Sequence, residues 1–548
     1  MVKRRTVLFA SILLLSLLYS CRSFDEDVEG LSVFKYNEAS NITSLDPAFA
    51  RNQANIWATS QLFNSLVELD NDLNVQPAIA KSWNISDDGH TYTFFLRDDV
   101  FFHDNKCFEG EKGRRVLASD FTYSFSRLID PGLNSPGMWV MNQVARNPDG
   151  NLSIEAPNDT VLIINLSEAF PPMLGLLSMQ YCAAIPHEAI DMYGRDFRKN
   201  PVGTGPFYFK YWKEGVKLVY RKNDNYFQFE GSKQLPYLDA VAITFIIDRQ
   251  SVFLEFVKGN LDFLSGLDAS YKDELLAPDG QLRDKYSSQL KMISMPFLNS
   301  EYFGFFLGSN NNNDLLKNKK LRQAINYGFD RDKMMTFLRN NIGIPAHAGF
   351  VPVGMPGFSE NEGGYYFDPD KARQLLAEAG YPYGEGLPEI TLMTNAMYLD
   401  LAQYLQHELS RLGINLKIEV LPPATLREMM ANGTAPFFRG SWIADYPDAE
   451  NYLALFYSKN KAPGGPNYTH FDNKEFDRLF EKSRSIINDS LRIQLYKQMD
   501  SILIAEAPVV FLYYDQSVRF VQSNIRNMSN NPLNHLDLRR VRIEDKGR

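Results

Sequence analysis

Two aspartates and an arginine stand in one apolar and aromatic stretch of the chain, "RGSWIADYPDAENYL" (439–453). Tyr446 precedes Pro447, and a residue before proline is biased toward extended backbone, so "SWIADY" is predicted to run like a strand. Asp445 ends that run, where neither a helix cap nor a turn requires an aspartate. A carboxylate buried there without a positive partner is costly. Asp445 therefore has no structural explanation within its own segment, and a surface position is the alternative.

Asp448 does have a structural explanation. It precedes "AENYLALFY", in which Glu450 falls in the first helical turn and Leu453 and Phe456 can face inward. An aspartate at a helix N-cap stabilises the helix by about 1 kcal/mol. We therefore predict that Asp448 caps a helix rather than contacting a ligand.

The common catalytic and metal-binding motifs are absent from the sequence. It contains no CxxC, HExxH, GxSxG or GxxxxGK[ST] motif, and its seven histidines are scattered. No metal, cofactor or catalytic residue is therefore predicted. Paired carboxylates can perform acid–base chemistry, so a hydrolase of the cell envelope stays an alternative. Cys107 and Cys182 either form one disulfide or remain buried thiols.

The length and composition predict a large globular protein. The chain has 548 residues, and single cores stop growing at roughly 250 to 300 residues, so at least two lobes are expected. Hydrophobic residues make up 44% of the chain and the formal net charge is −9. Because sequence-independent binding of nucleic acid requires a positive surface, no nucleic-acid partner is predicted.

The first residues predict export. Three basic residues (3–5) precede the apolar run "VLFASILLLSLLY", which is shorter than the about 20 residues that span a membrane. Residues 1–20 are interpreted as a signal peptide. The run ends in "LLYSC", which resembles the bacterial lipobox, so Cys21 is the candidate for lipidation, with an ordinary cleavage site as the alternative. Residues 21–30 then form a tether to the inner or the outer membrane.

Strand and helix signals alternate along the chain, which predicts an α/β fold. "EITLMTN" (389–395) is typical of a strand, "DLAQYLQHELSRLG" (400–413) places leucines on one helical face, and "INLKIEV" (414–420) alternates again. This order predicts a β–α–β unit. "DPDKARQLLAEAG" predicts a helix with Asp368 as its N-cap and Gly380 after its end. Further strands are expected near residue 93, at 161–167 and at 241–247.

The segment "NPVGTGPFYFKYWKEGVKLVYRKNDNYF" (200–227) resembles the signature of the extracytoplasmic solute-binding proteins of peptide and nickel ABC transporters. Two of its glycines, Gly203 and Gly205, are expected to permit a tight backbone course into a strand that begins at Phe207. Blocks such as "ITSLDPAFA" (42–50) and "LRQAINYGFDRDKM" (321–334) are similar to the same family in the same order. The resemblance covers the chain from about residue 31 to about residue 520.

The resemblance implies a bilobal periplasmic binding protein-like fold with a hinge and an extra small α/β domain. Closure about the hinge would bury the solute between the lobes. The implied domains are lobe I from residues 29–50, 185–300 and 511–548, the extra domain from 51–184, and lobe II from 301–510. A monomer that carries no ATPase motif of its own and delivers its solute to an ABC permease is expected.

The resemblance also implies a role for Asp445. The matching aspartate of peptide-binding relatives takes the α-ammonium group of the bound peptide, so the ligand would supply the missing cation. A peptide lying along "SWIADY" could pair as an added strand, with Ser441 and Ile443 as backbone partners. Trp442 would wall a side-chain pocket or belong to the core. Asn41 and Ile42, in the loop "NEASNIT" (37–43), would face the ligand from the other lobe.

Arg439 matches an arginine that meets the carboxylate end of short peptides in one relative, and a solvated surface charge is its alternative. The same relative uses a histidine near the position of Leu399 or Asp400, where this chain has none. The resemblance therefore implies a lipid-anchored receptor for short peptides. Within the family, nickel complexes, haem or oligosaccharides are alternative solutes. Outside it, the envelope hydrolase and a lipoprotein that only adheres or signals stay open.

Overall fold

The computed structural model describes residues 30–268, 270–309, 315–360 and 363–544. Within these residues, strand and helix segments alternate as the sequence pattern predicts. The strands are β1 Val33–Asn37, β2 Val67–Leu69, β3 Val75–Pro77, β4 Ala80–Ile85, β5 Thr91–Leu96, β6 Ile154–Asn158, β7 Val161–Asn165, β8 Phe207–Lys213, β9 Lys217–Lys222, β10 Phe229–Glu230, β11 Lys233–Gln234, β12 Ala240–Thr244, β13 Phe263–Ser265, β14 Leu290–Phe305, β15 Ile344–Pro345, β16 Ile390–Thr394, β17 Leu416–Val420, β18 Phe437–Ile443, β19 Val509–Gln522, β20 Ile525–Arg526 and β21 Arg542–Ile543.

Helices cover both faces of these strands. They are α1 Gln53–Ser60, α2 Ala118–Leu128, α3 Met173–Leu177, α4 His187–Tyr193, α5 Arg249–Val257, α6 Lys272–Leu275, α7 Asp284–Ser287, α8 Lys319–Tyr327, α9 Arg331–Arg339, α10 Pro369–Glu378, α11 Leu399–Ser410, α12 Pro423–Ala431, α13 Glu450–Leu453, α14 Lys474–Arg484 and α15 Asp489–Glu506. Among the helices of the described ranges, none combines the length and the apolar character needed to cross a membrane.

A mixed sheet of 11 strands forms the centre of the molecule. Its order is β17-β16-β18-β14-β19-β13-β1-β12-β9-β8, and β15 pairs with β19 outside this path. The long strands β14 and β19 run through both halves of the sheet. Their pairing shifts register between Pro296 and Ser300. The molecule is therefore bilobal, with two antiparallel strands shared by the lobes and an irregular crossing between them, as in periplasmic binding proteins.

A second sheet of four strands, in the order β4-β5-β7-β6, lies in the region predicted as the extra domain. Its inward residues, such as Phe94 and Ile164, join the core around Trp57 and Phe63. An extra small α/β unit is thus present, and the exact borders of the three domains stay a prediction.

Several local predictions are confirmed. β16, α11 and β17 form the predicted unit, and the two strands pair in parallel. Asp368 caps α10 by accepting a hydrogen bond from the Lys371 amide at 2.9 Å.

Gly203 and Gly205 lead into β8, which begins at Phe207 as predicted. A Cβ atom at Gly203 would lie 2.1 Å from the Leu62 carbonyl oxygen, and one at Gly205 would lie 2.4 Å from the Leu62 carbonyl carbon. The glycines are needed because the backbone after α1 passes directly against them. The reason is close packing of two chain segments rather than a local turn.

Candidate ligand-binding site

Strand β18 ends at the crossing between the lobes and has one unpaired edge. Its first residues, Phe437 and Phe438, pair with β16 on one side. The rest of the strand pairs only with β14, on the other side, within the described strands. The Ala444 amide donates to the Leu298 carbonyl of the β14 segment at 2.9 Å.

That hydrogen bond decides which residues of β18 bond to β14, because the backbone groups of successive residues point to alternate sides of a strand. Residues in step with Ala444, namely Trp442 and Gly440, direct their backbone groups toward β14. Ser441 and Ile443 therefore direct their N–H and C=O groups toward the unpaired edge. This is the arrangement that an added strand of ligand requires.

The Asp445 carboxylate lies where the two halves of the chain meet. Its charge contributes to raising the pKa of Tyr181 to about 12, second to burial of that tyrosine, so the two side chains are close. The Asp445 side chain is open to solvent, but the protein around it reduces its hydration enough to raise its pKa. In the part of the chain that the structure describes, no Lys, Arg or His nitrogen lies within 4 Å of this carboxylate. Asp445 is thus an under-hydrated carboxylate that lacks a positive partner.

Asn451 positions this end of the site, and the sequence argument missed it. Its Oδ1 accepts hydrogen bonds from the Trp442 indole at 2.8 Å and from the Asp445 amide at 3.2 Å. Its Nδ2 lies 3.4 Å from the Asp445 carboxylate. The indole orientation and the carboxylate orientation are therefore set by one side chain. The spacing of six residues from Asp445 carries no periodic signal that could have identified it.

Arg439 lies at the other end of β18 and is not a solvated surface charge. Its guanidinium donates to the buried Glu301 carboxylate at 2.6 Å and stacks on the Tyr398 ring, with 3.4 Å between the guanidinium carbon and the ring centroid. Glu301 lies on β14 opposite Ser441. The surface alternative for Arg439 is wrong, because the side chain is neutralised and enclosed inside the protein. The position near which a relative carries histidine is also occupied, since Asp400 pairs with Arg339 at 2.8 Å.

The facing loop places its two predicted residues differently. Asn41 is exposed, whereas the Ile42 side chain is buried in the core that contains Leu45 and Phe63. Only the backbone of Ile42 can therefore reach a ligand. Their contact with a ligand stays a prediction.

Asp448 is not the N-cap of the following helix. α13 begins at Glu450, and its N-cap residue is Ala449. Asp448 accepts a hydrogen bond from the Glu450 amide at 2.9 Å and pairs with Arg492 at 3.1 Å. The predicted cap position is wrong by one residue, because the turn after Pro447 contains one more residue before the helix than predicted. The role is nevertheless structural.

Glu450 is a second carboxylate in the segment that carries Asp445, and unlike Asp445 it is buried. It accepts a hydrogen bond from the Tyr446 hydroxyl. Burial raises the pKa of Glu450 to about 7 against the lowering effect of the Tyr446 hydrogen bond; the charge of Asp448 adds to the rise, and Arg484 and Arg492 oppose it. The Asp445 end of the segment thus contains two carboxyls whose ionised forms are disfavoured.

The extra domain touches this segment directly. The rings of Phe170 and Tyr446 meet edge to face with 6.4 Å between centroids, and Arg484 stacks on Phe170. Arg484 also donates to Gln143 at 3.3 Å. The extra domain therefore helps to fix the segment that carries Asp445.

The remaining sequence candidates are cysteine residues. Cys107 and Cys182 are free thiols, not a disulfide, and burial raises the pKa of Cys182. Cys21 and the predicted signal peptide lie outside the described residues. No group of three or more His, Cys, Asp or Glu side chains in the described ranges could hold a metal ion.

The fold defines the class of protein: a bilobal protein of the periplasmic binding protein type, with the candidate site at the crossing between the lobes. Comparison with known proteins gives the family. Residues 74–464 match the family described as "Bacterial extracellular solute-binding proteins, family 5 Middle". The chain belongs to this family, whose members are solute-binding receptors of ABC transporters.

Individual relatives differ in the solute they are named for. The chain is 28% identical over 496 residues to heme-binding protein A of Haemophilus influenzae, covering 87% of this chain and 86% of the relative. It is 25% identical to the dipeptide-binding protein of Escherichia coli, covering 88% and 89%. A structure of the periplasmic binding protein DppA of Helicobacter pylori with the peptide STSA has a TM-score of 0.74 at 25% identity, covering 95% and 100%.

Proposed function

We propose that this protein captures short peptides between its lobes and passes them to the permease of an ABC transporter. The observation that carries the proposal is Asp445, an under-hydrated carboxylate without a positive partner in the described chain. A free α-ammonium group supplies one positive charge and three donors, which is what this carboxylate lacks. An N-blocked peptide does not.

The unpaired edge of β18 supports the same assignment. Ser441 and Ile443 offer backbone groups that bind an extended main chain without recognising its side chains. A peptide with its amino end at Asp445 would then run along "SWIADY" past the Trp442 indole, which Asn451 holds in place. Asn41 and the Ile42 backbone would close on it from the facing lobe. The dipeptide-binding relative and the peptide complex of DppA are consistent with this ligand class.

The test compares two peptides that differ only at the amino end, on the wild type and on two aspartate variants. Titration calorimetry would compare tri-alanine with N-acetyl tri-alanine on the wild type, on Asp445→Asn and on Asp87→Asn. Asp87 is exposed in the turn between β4 and β5 and serves as the control. We expect the wild type and Asp87→Asn to bind the free peptide at least about 100-fold more tightly than the acetylated one. Asp445→Asn should lose that preference.

Two results would contradict the proposal. Equal binding of both peptides by the wild type would remove the role of the α-ammonium group. Failure of every peptide to bind, together with a single non-peptide mass in native mass spectrometry of the purified protein, would move the function to another solute of the family, such as haem. The peptides recovered after incubation should also be uncleaved, because a binding protein returns its ligand intact.

The proposal includes attachment to the cell envelope through a lipid on Cys21, at the end of an apolar run of 13 residues, "VLFASILLLSLLY". Lipid chains anchor a protein by about 0.8 kcal/mol per buried methylene. Cys21→Ala should therefore move the protein from the membrane fraction to the soluble fraction, and the mature wild type should carry the added lipid mass. An unmodified Cys21 in membrane-bound protein would contradict this part of the proposal.

A further inference from the structure

The crossing between the lobes contains a carboxylate that the ligand proposal has not used. Asp515 lies on β19, one residue beyond Tyr514, which pairs with Ser300 of β14. It accepts hydrogen bonds from the Gln516 amide at 2.8 Å and from Asn299 Nδ2 at 3.3 Å. Its side chain is partly open to solvent. Within the described ranges, no Lys, Arg or His nitrogen lies within 4 Å of its carboxylate.

The neighbouring guanidinium groups already form ion pairs with other carboxylates. Arg439 pairs with Glu301 at 2.6 Å, and Arg339 pairs with Asp400 at 2.8 Å. Both arginines act on Asp515 only at longer range. Three carboxylates therefore share two guanidinium groups, and one negative charge at the crossing stays without a direct partner.

A buried acceptor next to Asp515 is also short of a donor. Asn299 Oδ1 is buried and accepts no hydrogen bond from the described residues. The orientation of this amide is fixed, because its Nδ2 donates to both the Glu301 and the Asp515 carboxylates. A flipped amide would place an oxygen against two carboxylates. At the crossing, one buried acceptor, Asn299 Oδ1, therefore lacks a donor, and one buried donor, Arg439 Nε, lacks an acceptor among the described residues.

Asp515 opens onto the same face of the sheet as the site. Ser441 and Ile443 lie opposite Glu301 and Asn299 on β14, and Asn299 bonds to Asp515. Asp515 lies two strands away from Asp445 and two residues along the strand direction. Regular strand geometry therefore puts about 12 Å between their backbones. An extended peptide advances about 3.3 to 3.6 Å per residue. A long side chain at the second or third residue of a peptide bound at Asp445 can span the rest of the distance to Asp515.

We propose that Asp515 is a second cation-binding position of the ligand site, which takes the ammonium or guanidinium group of a basic side chain in the bound peptide. This inference rests on the proposed function and names its preferred substrates: peptides with lysine or arginine at the second or third position. Arg439 is already paired with Glu301 at 2.6 Å, so its guanidinium is not free for a ligand carboxylate.

The test uses peptides that differ only in charge. Calorimetry at low salt would compare Ala-Lys-Ala and Ala-Ala-Lys with the same peptides carrying norleucine, which keeps the carbon chain and lacks the ammonium group. For at least one position we expect the wild type to bind the lysine peptide about tenfold or more tightly than its norleucine partner. Asp515→Asn, which keeps the hydrogen-bond acceptors, should bring that ratio near one. Its affinity for norleucine peptides should change less than about threefold.

Asp445→Asn separates this inference from the proposed function. It should weaken lysine and norleucine peptides by the same factor and leave their ratio intact. A wild type that binds peptides without regard to charge, or an Asp515→Asn variant that keeps the lysine preference, overturns the inference and leaves the peptide receptor standing. A wild type that binds none of the peptides overturns both.

Discussion

The two ends of the segment from Arg439 to Asn451 handle buried charge in opposite ways. At the Arg439 end, Glu301 is neutralised inside the protein by a guanidinium at 2.6 Å. At the other end, Asp445 and Glu450 have no cation within 4 Å in the part of the chain that the structure describes, and burial raises the pKa of all three carboxyls. A protein that only needed stability would pair both ends. The unpaired end is where a charged ligand gains most, because the protein has already removed part of the competing water.

The largest expected effect is at the paired end. Arg439→Met leaves Glu301 buried and unpaired beside Asp515, and breaking a buried pair in this way costs about 3 to 5 kcal/mol of unfolding free energy. Urea denaturation followed by circular dichroism measures it. The double variant Arg439→Met, Glu301→Gln should regain most of the loss. A single variant as stable as the wild type would show that the pair contributes nothing.

The next effect is a pH dependence at the unpaired end. The pKa of Glu450 is raised to about 7 from an ordinary value of about 4.5, so the folded protein binds more protons than the unfolded chain between these values. Unfolding free energy therefore falls as pH rises through this window. The contribution is about 3 kcal/mol at pH 7. Glu450→Gln keeps an acceptor for Tyr446 and should gain thermal stability relative to the wild type as pH rises from 4.5 to 7.5. A constant difference across that range would contradict the assignment.

A smaller effect concerns the side chain that orients the unpaired end. Asn451→Ala removes the acceptor shared by the Trp442 indole and the Asp445 amide. Each lost hydrogen bond costs about 1 kcal/mol, so peptide affinity should fall about tenfold and the indole fluorescence should shift. Asn432→Ala, at the exposed end of α12, is the matched control. Unchanged affinity in Asn451→Ala would mean that the strand alone positions the site.

The smallest effect has the opposite sign to the first. Because the raised pKa of Asp445 reflects an unfavourable charge in the unliganded protein, Asp445→Asn should raise thermal stability at pH 7. The gain should be below about 1 kcal/mol, since the side chain is open to solvent. Peptide affinity should fall in the same variant. If Asp445→Asn is less stable than the wild type, the carboxylate has a structural partner and the contrast between the two ends is lost.

Local pattern was sufficient for some of this architecture. The leucine spacing of α11 and the alternation of β17 predicted the β–α–β unit, and Asp368 was identified as a cap, because each signal lies within a few residues. Asp445 was singled out because its own segment gives it no positively charged partner, and the described residues of the structure give it none within 4 Å.

The charge balance of the site could not be predicted in this way. Glu301 lies 138 residues before Arg439 in the chain, and Asp515 follows Arg439 by 76 positions. Strand pairing brings them together, and no local periodicity encodes which distant strand becomes the neighbour. The commitment of Arg439 to Glu301 and the unpaired state of Asp515 therefore appear only once the order β18-β14-β19 is known.

The sharing of β14 and β19 by both halves has a consequence for how the protein comes apart. β19 contributes Val518 and Phe520 to the core beside α5 and Val510 and Leu512 to the core under α8 and α11. If β14 and β19 separate in one half, the core of the other half is also left incomplete. Heating should therefore unfold both halves in one cooperative transition. A proteolytic cut within either strand should release the two halves as denatured fragments, although each is large enough to be a domain.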